Sequence, residues 1–317
     1  MYIVPEKDIA ALVGAEDSFE AVRQVFGAMA AGSAYNFPVI REAIGHAYAL
    51  YGFKSGFDRQ GLNLGLKSGG YWPGNTAKGL TNHQSTVFLF DAETGKCRAI
   101  VGGNLLTALR TAAQRRFRSP VWRERMRACW ALSARAIRRR FNCGPWRRSA
   151  GLNALWPGTA AQKSLPALAL WPGNLAWISR RFLGAQADVI ITITSSYAAI
   201  LTDAHVKPGT HIACMGTDTK GKQEVEAALV ARASLFTDEV AQSVSIGECQ
   251  HAIAAGLVAP DAIAVLGAVI NGTHPGRQSD DEITLFDGTG VGLQDLAVAA
   301  TAVQRAIEQG RAIEVAF

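Results

Sequence analysis

The spacing of apolar positions changes along the chain. In residues 17–32, DSFEAVRQVFGAMAAG, the residues Ala21, Val22, Val25, Phe26 and Met29 recur at helical intervals, and Gly32 offers a stop. Strand-like segments follow at 37–41, 49–55 and 61–69. Residues 85–103, STVFLFDAETGKCRAIVGG, set two apolar runs around the turn-rich stretch 91–95, which predicts a hairpin. NLLTALRTAA at 104–113 reads as a helix. Strands that alternate rather than wind in parallel predict an α+β domain here.

From residue 187 the pattern is different. ADVIITITSS is a continuous apolar run ending in small hydroxyl residues, as a buried parallel strand does. HIACMG (211–216), SLFTD (234–238) and the apolar stretch AIAVLGAVI (262–270) extend the series. KQEVEAALVARA and SIGECQHAIAAG between them read as helices, which predicts βα units. GVGLQDLAVAATAVQRAIEQG is an amphipathic helix closed by Gly310. Residues 114–184 fit neither pattern. The fold expected is α/β: a Rossmann-like domain at 114–292, with 114–184 aberrant, and an α+β substrate and dimerisation domain from 1–113 plus about 293–317.

Composition refines this. A chain of 317 residues, 49% of them apolar, suits two ordinary domains. No run reaches the roughly 18 apolar residues of a membrane helix. The first residues, MYIVPEKDIAALVG, lack a basic stretch and a small-residue cleavage site. Five cysteines stand apart with no C-x-x-C pair, and the histidines show no metal spacing. A reduced, cytoplasmic protein without a metal site is expected. The net charge of +6 is uneven. Residues 114–184 hold 14 arginines, one lysine, one glutamate and six of the seven tryptophans, so the rest of the chain is net acidic. Arginine and tryptophan together can bind single-stranded nucleic acid. Yet this window stands in place of a βαβ unit rather than beside one, so no nucleic-acid partner is expected.

NLLTALRTAA resembles the signature of the ornithine cyclodeaminase/mu-crystallin family. LGLKSGGYWPGN (64–75), STVFLFDAETG (85–95), ADVIITITSS (187–196), MGTDTKGKQEV (215–225), FTDEVAQSVSIGE (236–248) and FDGTGVGLQDLAVA (286–299) agree with it in order and spacing. Within the family, YNFPVIREAIGH and GLTNHQSTVFLFD resemble the members that reduce iminosuccinate to L-aspartate with NADH. The resemblance implies an NAD(H)-dependent imine reductase, with NADP also open, a small imino or amino acid substrate and a homodimer. Ornithine cyclodeamination, a related amino-acid dehydrogenase or ketimine reductase activity, and a non-catalytic mu-crystallin-like binder are the alternatives.

The resemblance also assigns residues. Lys67 would hold a substrate carboxylate and handle protons. Arg110 sits on a helix of mostly small and apolar residues, where an arginine needs an anionic partner; its planar fork suits a carboxylate, and it would also border the cofactor. Arg41, after FPVI, is a second candidate clamp. Three cations in one site suit a dicarboxylic imine and not ornithine, whose distal ammonium would want an acid. Asp218, in the loop GTDTKGK, would face the substrate nitrogen. Ser85, Thr86, Thr194, Ser195, Ser196, Met215, Gly216 and Thr289 would contact the cofactor.

One departure is plain. A dinucleotide domain opens with strand, glycine-rich turn and helix. Residues 127–150 offer only Gly144, followed by Pro145, and no acid to read a ribose. Family agreement stops after Ala113 and resumes at Ala187, across a gap of about the family's length. The composition of 114–184 reads as GC-rich coding DNA translated out of frame, which resequencing of the gene would test.

Overall fold

The computed structural model describes residues 1–114, 129–133 and 187–316. The segment expected to lack a phosphate turn, and most of the window read as translated out of frame, lie outside those residues. The chain divides into two compact units. One comprises residues 1–118, 264–276 and 290–317; the other, 119–263 and 277–289.

The first unit is built on an eight-stranded sheet. Its strands include β1 (Tyr2–Val4), β2 (Ala34–Asn36), β3 (Ile40–Ala43), β4 (Leu50–Asp58), β5 (Asn63–Tyr71), β6 (His83–Phe90) and β7 (Cys97–Gly102). The spatial order is C-terminal strand (Ile313–Glu314), β1, β7, β6, β5, β4, β2, with β3 also on β4. β1 runs parallel to β7. β2 to β7 pair antiparallel, and β6–β7 is the expected hairpin. Helix Gly292–Glu308 packs on β4, β5 and β6, and buries Leu293, Leu296, Val298 and Ala302. Arg305 holds it to helix Ala15–Ala30 through a two-pronged pair with Asp17, at 2.7 and 2.8 Å.

The second unit is a parallel-type sheet. Its strands are β8 (Cys129–Ser133), β9 (Val189–Ile193), β11 (His211–Cys214), β13 (Ser234–Thr237), β14 (Ile263–Val265) and β15 (Thr284–Asp287); β10 (Tyr197–Leu201) pairs separately with β12 (Gln223–Val225). The order is β14-β13-β15-β11-β9-β8, with β8, β9, β11, β15 and β13 mutually parallel. β8 corrects the reading of the basic window as lacking any strand of the nucleotide-binding pattern. CWALS pairs with β9 from Cys129↔Val189 to Ser133↔Ile193.

Three further expectations change. KQEVEAALVARA is strand β12 and then helix Ala227–Arg232. SIGECQHAIAAG breaks: its helix is Gln250–Ala254, because the N–H groups of Glu248 and Cys249 go to the Asp287 carboxylate rather than into a helical ladder. AIAVLGAVI is β14 and then helix Leu266–Ile270, and residues 264–276 belong to the first unit rather than the second. The cause is packing. Helix Leu266–Ile270 lies on helix Ala15–Ala30, and a Cβ at Gly267 would stand 2.0 Å from the Phe26 carbonyl oxygen. Asn271 donates to the Gly27 carbonyl at 2.9 Å. Gly267→Val is therefore expected to destabilise by about 2 kcal/mol, since backbone cannot move as a side chain can. Chemical denaturation measures it; a change below about 0.5 kcal/mol would contradict this packing.

Candidate active site

Strand alternation sorts several candidate side chains of the first unit onto one sheet face. The registers Lys54↔Lys67, Lys67↔Val87 and Val87↔Val101 put the two lysines on the same face as two buried valines. One row further along the strands, Arg41↔Gly52, Gly52↔Gly69 and Gly69↔Ser85 align. Arg41 and Ser85 thus flank a row whose two middle positions carry no side chain. Neither glycine can be enlarged: a Cβ would lie 1.9 Å from the Ile40 oxygen at Gly52, and 2.4 Å from the Gln84 oxygen at Gly69.

Two helices complete the arrangement. Helix Asn104–Gln114 brings Thr107 and Arg110, and helix Gly292–Glu308 brings Asp295. Asp295 is fully buried and central: Lys67 Nζ lies 2.9 Å from its Oδ2 and Arg110 Nε 3.3 Å from its Oδ1. Thr107 donates to Oδ1 at 3.2 Å, and Lys67 donates to the Thr107 hydroxyl at 3.4 Å. Burial by itself would raise the Asp295 pKa, but Arg110 and Lys67 outweigh it and hold the carboxyl at about 2. Burial lowers Lys67 to about 8; Asp295 resists that shift and Arg110 adds to it. Burial, then Lys67 and Arg110, push His83 down to about 3, so its imidazole is neutral. Gly290 has φ +74°, and a Cβ there would stand 2.7 Å from an Arg110 amine. The turn therefore closes directly over the guanidinium.

Lys67, Arg110, Arg41 and Ser85 are thus gathered in one unit, and Thr86 stands apart. Thr86 pairs with Ser68 on the opposite face of the same sheet, one residue from Ser85. Lys54 and Asp295 were missed from sequence. Asp295 lies within FDGTGVGLQDLAVA and Lys54 within the strand-like segment 49–55, but only the registers and the helix packing show that they face Lys67.

In the second unit, Ser195 is exposed and Ser196 half-buried just beyond the C-terminal end of β9. Thr194, Met215 and Gly216 lie at the ends of β9 and β11. Ligands of open α/β sheets bind at such ends. Buried carboxylates secure these ends. Glu224 accepts from the N–H groups of Thr194 (2.5 Å) and Gly216 (3.0 Å) and from the Thr192 hydroxyl. Glu248 accepts from the N–H groups of Glu224 and Val225 and from the Thr217 hydroxyl. Asp287 accepts from Ser243 and from the N–H of Glu248. Burial raises all three, Glu248 to about 8 and Asp287 to about 7. Thr289 is buried, and both its N–H (3.1 Å) and its hydroxyl (2.7 Å) donate to Asp238. Its hydroxyl proton is thus spent within the protein. Asp218 pairs with Lys222 at 2.8 Å.

Among the described residues, no cluster of three or more His, Cys, Asp or Glu could hold a metal, and no helix is long and apolar enough to cross a membrane.

A family model described as the ornithine cyclodeaminase/mu-crystallin family matches residues 55–116 and 176–310. The break falls in the basic window. The chain is 54% identical to the iminosuccinate reductase of Paracoccus denitrificans, across 99% of both chains. It is 27% identical to the alanine dehydrogenase of Archaeoglobus fulgidus, across 99% of this chain and 98% of that one. The crystal structure of the Paracoccus denitrificans iminosuccinate reductase in complex with NAD+ superposes with a TM-score of 0.84, at 51% identity, covering 100% of this chain and 99% of the other.

Proposed function

Because the chain belongs to the ornithine cyclodeaminase/mu-crystallin family, we propose that it is an NAD(H)-dependent imine reductase converting iminosuccinate to L-aspartate. The observation that carries this reading is the 54% identity to an iminosuccinate reductase over nearly the whole of both chains. The cation-rich sheet face supports it. A substrate with two carboxylates suits Arg41, Lys67 and Arg110, and fixing both ends leaves the imine carbon little freedom. Asp218, paired with Lys222 at 2.8 Å, would face the substrate nitrogen, favour its protonated form and exchange its proton. Lys67 would hold a carboxylate and serve as a second proton-handling group.

The described residues at the ends of β9 and β11 fit a dinucleotide. The ends of β9 and β11 offer hydroxyls and small residues at the edge of a parallel sheet, and Glu224 fixes their backbone. Ser195, Ser196, Met215 and Gly216 would hold the cofactor there, with Ser85, Thr194, Arg110 and Thr289 as the remaining contacts; Thr86, on the opposite sheet face, is left out. The nicotinamide supplies a hydride when bound.

Two assays test the reaction. NADH consumption with oxaloacetate plus ammonia is expected, and ammonia release from ornithine is not. Turnover of ornithine alone would replace the proposal with a cyclodeaminase; a folded chain inert in both would be a binder. Repeating the first assay with NADPH reads the cofactor preference, for which we propose NAD.

The Lys67 charge gives a pH signature. Its folded-state pKa of about 8 means that the ammonium is present below that pH and lost above it. kcat/KM is expected to fall about tenfold per pH unit above about 8. Lys67→Arg keeps a charge throughout, so its profile should lack this limb under the same ammonia conditions. Superimposable profiles would remove Lys67 from carboxylate binding.

We also propose a cytoplasmic homodimer assembled through the first unit. The sheet face opposite the lysines exposes Tyr35, Ile40 and Phe53, an apolar surface that a second copy would cover. Sedimentation equilibrium would report the mass.

A further inference from the structure

Residues 217–222, TDTKGK, cross from β11 to β12 and carry Asp218. Outside the strands, a segment keeps one geometry only if its polar groups find fixed partners. Two neighbours hold the Asp218 carboxylate: Lys222 Nζ lies 2.8 Å from Oδ1, and the Thr219 hydroxyl donates to the same oxygen at 3.2 Å. Both of those residues are held in turn by one side chain. Gln250, which begins helix Gln250–Ala254, sends its amide to the loop. Its Oε1 accepts from the Gly221 N–H at 2.7 Å. Its Nε2 donates to the Lys222 carbonyl at 3.3 Å and to the Thr219 carbonyl at 3.5 Å, and reaches the Gly247 carbonyl at 2.8 Å. The partners fix which end of the amide is which, since an N–H needs an acceptor and carbonyls need a donor. His251 Nε2 also lies 3.0 Å from the Lys222 carbonyl, and Glu248 accepts from the Thr217 hydroxyl. Gly221 turns the loop at φ +85°. Residues 248, 250 and 251 thus grip the loop at 217, 219, 221 and 222, although ECQH read in sequence as part of an ordinary helix.

We propose that Gln250 is a positioning residue for Asp218. It fixes the carbonyls of Thr219 and Lys222, so that the hydroxyl and the ammonium those residues carry hold the carboxylate in one place. This rests on the reading of Asp218 as the group that faces the substrate nitrogen. Proton exchange with that nitrogen depends on reach, and a misplacement of about 1 Å can cost on the order of 100-fold in rate. Gln250 acts through the loop and not on the substrate, so its effect should exist only while Asp218 is there to be placed.

The test is a double-mutant cycle in Gln250→Glu, Asp218→Asn and the two together, followed by NADH consumption with oxaloacetate plus ammonia. Glutamate keeps the shape and the bond to Gly221, and sets an oxygen against three carbonyls. Gln250→Glu is expected to lower kcat about 30-fold, with the calorimetric Kd for NADH within about threefold of wild type. Asp218→Asn is expected to lower kcat about 100-fold. The double variant should match Asp218→Asn to within about threefold, because the second change has nothing left to misplace. Losses that multiply would overturn the proposal, as would a Gln250→Glu rate within about threefold of wild type. If wild type turns over and Asp218→Asn is as fast, the reading of Asp218 fails and the role of Gln250 falls with it; if wild type does not turn over, the assigned reaction itself fails. Thermal melts report folding. Should Gln250→Glu not fold, Gln250→Met, which removes the bonds without the repulsion, takes its place in the cycle with an expected loss of about tenfold. If neither folds, Gln250 is structural and the proposal is overturned.

Discussion

Lys67→Met is expected to lower kcat/KM for oxaloacetate plus ammonia by about a thousandfold. Truncating one partner of a buried, charge-assisted contact costs on the order of 2–5 kcal/mol, and each 1.4 kcal/mol is a factor of ten. Lys67 is a strong case because its ammonium is buried beside Asp295 and Thr107, with little solvent to take its place. The fold should survive: Arg110 still pairs with Asp295, and methionine fills most of the lysine stem's volume. The two expectations together are discriminating. Steady-state kinetics and a thermal melt measure them. Activity within tenfold of wild type would take Lys67 out of the reaction. A collapse of stability with the activity loss would make its role structural.

Asp295→Asn is expected to cost about 3–5 kcal/mol of stability, the range for breaking a buried ion pair from one side. The asparagine keeps the shape, but leaves Lys67 and Arg110 buried face to face without their counter-charge. For a domain of this size that corresponds to a fall of roughly 10 °C in Tm. The pH dependence has a definite sign. Asp295 titrates at about 2 in the fold against an ordinary 3.8, so its stabilisation is complete above pH 3.8 and is lost as pH falls toward 2. A double variant with Lys67→Met should recover part of the loss, because one uncompensated charge goes with it. Denaturant unfolding of the three variants gives the coupling. A single-variant loss below about 1 kcal/mol would show that water or another group balances the cations.

Stability and specificity are linked at this face. The cations that make Asp295 indispensable, Lys67 and Arg110, are the ones proposed to hold substrate carboxylates. Substrate and product dicarboxylates should therefore stabilise the chain more than the corresponding monocarboxylates do.

Family membership, the two-part α/β architecture and most helices and strands were legible in the sequence. Those features rest on local periodicity and on motifs that keep order and spacing. ADVIITITSS shows this best: its apolar run is β9, and the hydroxyl residues after it stand at the sheet edge. Lys67 and Arg110 could be nominated as candidates because each stands within a motif with a strong local signal, and the fold brings both to Asp295. The sequence also marked residues 114–184 as a break in family pattern, and the family match is interrupted there, between residues 116 and 176. What it could not give was any pairing between distant strands or helices. Helix Leu266–Ile270 joins the first unit because a glycine lets it approach the Phe26 carbonyl, a contact between residues more than 200 positions apart. Asp295 lies in a helix that reads as ordinary and amphipathic, and becomes the counter-charge only when that helix settles over β5. Ser85 and Thr86 are indistinguishable as neighbours in sequence, yet alternation sends them to opposite faces. Lys54 looks like one more lysine in a strand until register sets it against Lys67. Periodicity and motif are properties of neighbours in sequence, so the sequence determined elements and family; the charge balance of the site depends on which elements touch, and the tertiary structure decided that.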